Sequence, residues 1–179
     1  MELSLALKFV HVISALVWFG GGLGLAVLST FYERRGDLRT GVAVVTVIAV
    51  LGPVVFLPAS VLALMSGAML FVIGGLPWTA WTILSLPLVA TAFGLGAGVV
   101  RPTGERIALL QEAGHDGIAI DMTRRLLRVA RLESAIMLAI VVLMVLRPDW
   151  GDNDILAPTG ALVALATMTY FMRRRPLTI

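Results

Sequence analysis

Apolar residues fill long blocks of this chain, separated by short charged clusters and Gly-Pro turns. A helix crossing a hydrocarbon core of about 30 Å needs roughly 20 apolar residues. Phe9 to Tyr32 supplies one such block, and it reaches back to Leu3 if Lys8 and His11 are carried into the helix. Thr40 to Val100 has no Asp, Glu, Lys, Arg or His and is too long for one crossing. The turn signal Gly74-Gly75-Leu76-Pro77 divides it in two. Ser134 to Leu146 is short for a span unless its helix starts near Asp121. Ile155 to Met172 is a fifth block. The pattern predicts an all-α, polytopic membrane helix bundle in one domain, a four-helix core plus one. Its spans fall at about residues 3–31, 47–73, 78–100, 122–147 and 155–172, joined after the third by a connection over 101–121.

Composition narrows the reading further. Hydrophobic residues make up 59% of the chain, charged residues 14%, and mean hydropathy is +0.96. A soluble domain of 179 residues could not cover that much apolar surface. Glu2 at the N-terminus and the length of the first apolar block also speak against a cleaved signal peptide. With no cysteine, a disulfide, a thiolate nucleophile and a Cys-ligated cluster are excluded, and two histidines rule out a three-imidazole site. Five spans put twelve arginines on one side of the membrane: Arg34, Arg35, Arg39, Arg101, Arg106, Arg124, Arg125, Arg128, Arg131 and Arg173 to Arg175. Only Lys8 and Arg147 fall on the other. Basic residues concentrate on cytoplasmic loops, so the expected orientation is N-terminus outside and C-terminus inside a bacterial cytoplasmic membrane. The arginines are then topological, with the lipid bilayer as partner and no nucleic acid. Trp78, Trp81 and Trp150 fall at the outer interface.

Two interruptions qualify the helices. Pro53 and Pro58 bracket Gly52-Pro53-Val54-Val55-Phe56-Leu57-Pro58, where the second span must kink or break. The part before Pro53 either spans or lies at the interface. In the 101–121 connection, Glu105 to Glu112 reads as a short amphipathic helix ending at Gly114, and His115 as a solvated turn residue.

The first span carries the candidate chemistry. At 100° per residue, Ser4, His11, Trp18 and Gly22 share one stripe, with Lys8 at its edge, and Gly20 and Gly24 form a GxxxG pair on another face. Gly94 and Gly98 repeat the device in the third span. Small residues let helices approach closely, which predicts Gly20, Gly24, Gly94 and Gly98 at helix contacts. An ionisable residue within the membrane usually faces the bundle interior. His11 is therefore either a hydrogen-bonded pivot, to Ser14, a backbone carbonyl or a neighbouring span, or a haem or metal ligand. Glu133 is the second membrane-buried charge, with Arg101 or Arg34 as its expected ion-pair partner.

Leu7-Lys8-Phe9-Val10-His11 followed by Trp18-Phe19-Gly20-Gly21 resembles the first span of an uncharacterised bacterial family of predicted integral membrane proteins. Met144 to Pro148 resembles the close of that family's fourth span. Similar openings occur in CopD-type copper-resistance proteins and HemJ-type protoporphyrinogen oxidases. The HemJ resemblance implies haem ligation by His11; Lys8, Trp18 and Gly22, on or beside the His11 stripe, are the further candidate cofactor contacts, with haem b as the candidate cofactor. It also calls for a later-span lysine, whereas Lys8 is the only lysine here. Three functions remain: a haem- or metal-associated redox membrane protein built around His11, a non-catalytic accessory subunit of a homo-oligomer or larger membrane complex, and a small transporter.

Overall fold

The computed structural model describes residues 2–172, so Arg173 to Arg175 of the basic tally lie outside the described residues. Among the described residues every regular element is helical. Helix α1 covers Glu2–Arg34, α2 Leu38–Leu51, α3 Leu57–Ile73, α4 Ala80–Leu95, α5 Arg101–Glu112, α6 Asp116–Leu146 and α7 Asn153–Met172. They form five rods long and apolar enough to cross a membrane, because α2 runs into α3 and α4 into α5 without a break.

Both junctions are single π-helical turns, Gly52–Phe56 and Gly96–Val100. In each, the residue after the turn donates its N–H to the carbonyl five positions back, Leu57 to Gly52 and Arg101 to Gly96. In each, a proline stands six residues after the opening glycine, Pro58 after Gly52 and Pro102 after Gly96. A proline ring inside an α-helix collides with the carbonyl four residues earlier. That carbonyl belongs here to Val54 or Gly98, both within the widened turn, so the rod continues past the proline. The second span accordingly does not break at the prolines, and α2 packs on α1, α5 and α6. The connection after the third span is helical from Arg101, not from Glu105, and continues α4 directly.

Around the centre, α1 touches α2, α3 and α6, while α6 also meets α4, α5 and α7. The buried side of α1 holds His11, Ser14, Trp18, Gly21 and Leu25, which fall within roughly 80° at 100° per residue. Gly20 and Gly24 lie outside that arc. A Cβ placed on Gly20, Gly24, Gly94 or Gly98 would meet nothing within 4 Å. The expectation that these four glycines bring helices together is thus corrected for contacts within this chain. The glycines that do so are Gly21 against Phe56, Gly67 against His11, Gly96 against Glu133 and Gly104 against Ala49.

The arginines gather at one end of the bundle. Arg131 pairs with Glu33 across α6 and α1, and Arg39 stands 4.0 Å from Asp116. A core of Leu25, Val42, Val45, Ile107, Ala119 and Leu126 fills that end. The opposite end carries Trp78, Trp81 and Trp150. There the backbone N–H of Trp81 donates to the Pro148 carbonyl at 3.2 Å, and the Arg147 guanidinium stands 5.5 Å from the Trp81 ring centre. Arg147 closes α6 in the left-handed region, at φ 50°. Helix α7 is peripheral, with Thr159 its one buried residue.

Candidate functional site

The two polar positions singled out in the sequence sit in different surroundings. His11 faces α3. Its Nδ1–H donates to the Ala63 carbonyl at 2.9 Å, and the Ser66 hydroxyl lies 3.4 Å from the same nitrogen. The Ser66 hydroxyl is itself committed to the Leu62 and Ala63 carbonyls of its own helix. Gly67 makes the approach feasible, since a Cβ there would stand 2.9 Å from His11 Cε1. A small residue one turn beyond Ala63 lets an imidazole lie flat on a neighbouring helix and reach its backbone. His11 is thus the pivot joining α1 to α3, through a backbone carbonyl and not through Ser14.

Glu133, on α6, faces a cavity of about 110 Å³ between the two ends of the bundle. Trp18, Phe19 and Gly22 of α1 line it, with Phe56 and Ser60 from the α2–α3 rod, Phe93 and Gly96 from the α4–α5 rod, and Ser134 and Met137 of α6. Trp18 and Phe93 meet edge to face at 6.4 Å. Both π-helical turns contribute to this wall, Gly52 and Phe56 from the first and Gly96, Ala97 and Val100 from the second. π-Turns inside α-helices recur at functional sites because they displace backbone and side chains from the helical register.

The carboxylate of Glu133 rests against Gly96, where a Cβ would stand 3.0 Å from Oε1. Among the described residues no hydrogen bond or ion pair reaches it. The expected pairing with Arg101 or Arg34 is therefore corrected. Arg101 also lines the cavity, but its Nε–H goes to Glu105 Oε1 at 2.9 Å, one helical turn along α5. Arg34 is exposed at the end of α1. Arg131 is held by Glu33 and by Thr30 at 3.2 Å. A residue pattern shows charge without distance: Arg101 and Arg131 each have a nearer acid, and Arg34 ends α1 exposed.

Lys8, His11, Trp18 and Gly22 do not form one site. Trp18 and Gly22 belong to the Glu133 cavity, Lys8 is exposed, and His11 is engaged by α3. His115 is exposed in the turn before α6. Among the described residues no group of three His, Asp or Glu side chains could hold a metal ion. Ser60, Phe56, Phe93 and Gly96 escaped the sequence reading. The shared spacing of a glycine six residues before a proline, at Gly52–Pro58 and Gly96–Pro102, was the signal available for them.

A family model described as "Predicted integral membrane protein (DUF2269)" matches residues 5–148. The chain belongs to this family. Searches of curated proteins and of solved structures find no match. The matched stretch runs from α1 to the residue after the α6 cap, so it takes in the His11 pivot, both π-turns and the whole Glu133 cavity. Helix α7 lies beyond it.

Proposed function

We propose that this membrane protein binds a small, largely apolar molecule inside its helix bundle, with Glu133 as its charged contact. The observation that carries this reading is a carboxylate without a partner, facing an apolar cavity flanked by two π-turns. A polar group removed from water without compensation costs several kcal/mol, so a bundle that keeps one at a cavity has a use for it. The size of the cavity bounds the occupant. An engineered apolar cavity of about 150 Å³ takes benzene, so this site suits one six-membered ring or a short branched chain. Gly22 offers the test, since it lines the cavity and a Cβ there meets nothing within 4 Å. Gly22→Leu should fill the cavity, leave the fold extractable and abolish the thermal stabilisation that benzyl alcohol gives the wild type. Equal stabilisation of both proteins would refute the site.

A second reading places haem b or a metal on His11. Its support is the Nδ1–H bond to the Ala63 carbonyl, because ligating imidazoles are commonly oriented in that way, with Nε2 left for the metal. Haem would supply one-electron redox chemistry; His11 would hold the iron and α3 would fix the ring. A visible spectrum, with and without dithionite, tests it. His11→Ala should abolish a Soret band that His115→Ala leaves intact, and protein made with ample haem but lacking the band would end the reading. The open faces of Gly20 and Gly24 on α1, and of Gly94 and Gly98 on the α4–α5 rod, support a third reading as a subunit packed against further copies or partners. For orientation, the arginine end is assigned to the cytoplasm of a bacterial inner membrane. A reporter active only there should work when fused after Ile179 and fail within the 149–154 loop.

A further inference from the structure

We infer that the Glu133 cavity selects a monovalent organic ammonium ion with an apolar body about the size of one aromatic ring. This rests on the cavity being a binding site, as proposed above, and adds the charge of the ligand. The argument begins with what surrounds the carboxylate. Each neighbouring arginine has an acid of its own, Arg101 with Glu105 and Arg131 with Glu33, so each pair is neutral and Glu133 is the excess charge. A carboxylate in apolar surroundings calls for a positive partner. The serine hydroxyls of the lining do not meet that need: Ser60 donates to Leu57 at 2.8 Å and Ser134 to Ala130 at 2.8 Å, both backbone carbonyls on their own helices.

The kind of cation follows from the rest of the lining. A hydrated metal ion wants six or more oxygen ligands, and one carboxylate with two committed hydroxyls cannot supply them. Ammonium groups need far less. They take one charged acceptor and are further attracted by aromatic faces within about 6 Å of the ring centre, and Trp18, Phe56 and Phe93 stand in the same wall. Gly96 leaves room for the carboxylate to turn, since no side chain intervenes between it and the α4–α5 rod. One acid, four aromatic rings counting Phe19, and a ring-sized volume define an ammonium ion carrying a small hydrophobic group.

The test compares three probes of one shape on purified full-length protein in detergent: benzylammonium, benzyl alcohol and benzoate. Apparent affinity is read from the rise in melting temperature with ligand concentration. Benzylammonium should bind roughly tenfold or more tighter than benzyl alcohol, because both can donate to the carboxylate but only the ammonium also neutralises its charge, and benzoate should be weakest. Glu133→Gln, which keeps the shape of the side chain, should remove the advantage of benzylammonium over benzyl alcohol. Gly22→Leu should abolish both. If benzyl alcohol binds and benzylammonium binds no better, or if Glu133→Gln keeps the preference, the cation inference is overturned while the cavity reading stands. If none of the probes stabilises the wild type, the cavity reading itself falls, and the inference with it.

Discussion

His11 and Glu133 are both ionisable side chains on apolar helices, and the bundle treats them oppositely. Around His11, α3 supplies a carbonyl at 2.9 Å, a hydroxyl at 3.4 Å and a glycine that clears space for the ring. Around Glu133 a glycine also clears space, yet no donor arrives from the described residues. Satisfied polar groups inside a bundle tie helices together, and their loss costs stability. An unsatisfied one contributes nothing to holding the bundle and persists for another reason. The difference separates a structural pivot from a ligand contact, although the sequence shows the same thing in both places: one polar residue in an apolar run.

The largest expected effect attacks the pivot by overpacking it. Gly67→Leu would press its side chain into the His11 ring and push Nδ1 off the Ala63 carbonyl. Overpacking costs about 1–3 kcal/mol, and the lost hydrogen bond about 1 kcal/mol more. Melting in matched detergent should therefore fall well below wild type. Gly20→Leu, at an open position, should melt close to wild type. Comparable losses for the two variants would mean that α1 is held from the Gly20 face as well, and the pivot would lose its special place.

Removing the imidazole is the next step down. His11→Ala should cost about 1–2 kcal/mol, a hydrogen bond plus some packing. His11→Gln, whose amide can donate to the same carbonyl, should recover part of that loss. If Gln recovers nothing, the ring itself, by packing or ligation, is what α3 holds.

Much of this architecture was legible in the residues. The five spans followed from block length, and the clustering of arginines at one end followed from their alternation between blocks. Gly74-Gly75 and Gly114 marked their turns correctly, with Gly75 and Gly114 at positive φ. Legibility stopped where three dimensions were needed. Small-residue spacing located a face at Gly20 and Gly24 but not what lies against it, whereas Gly21, one residue along and about 100° round, is the glycine that receives Phe56. The residue pattern shows where a proline stands but not the π-turn that accommodates it, because a π-turn leaves the residue pattern of a helix intact. The pairing of Glu133 was misjudged because charge in a sequence carries no record of distance.

Glu133→Gln should change stability by less than about 1 kcal/mol, and not downward, since no native hydrogen bond or ion pair is lost. Set beside His11→Ala, it makes the comparison quantitative in one experiment. A large loss for Glu133→Gln would show that the carboxylate holds the bundle, and its role as a ligand contact would then need another basis.

The smallest effect uses a third polar side chain as control. Asp37 is an exposed carboxylate with the partners that Glu133 lacks. It caps α2, accepting the Thr40 N–H at 3.1 Å and the Thr40 hydroxyl at 2.6 Å. Those bonds, the hydroxyl first and the backbone N–H second, hold its carboxyl below the ordinary value of 3.8. A group whose pKa is lowered by folding stabilises the protein above its unfolded pKa and loses that contribution as pH falls through the folded one. Asp37→Ala should therefore melt slightly below wild type at pH 7, by less than His11→Ala does. The gap should hold down to about pH 5 and shrink as pH drops through and below 3.8, where wild type loses the charge on its cap. Asp37→Asn, which keeps an acceptor for the same N–H, should show a smaller gap at pH 7. A gap for Asp37→Ala that stays constant across this range would mean that the cap acts through backbone conformation alone, not through the charge on its carboxylate.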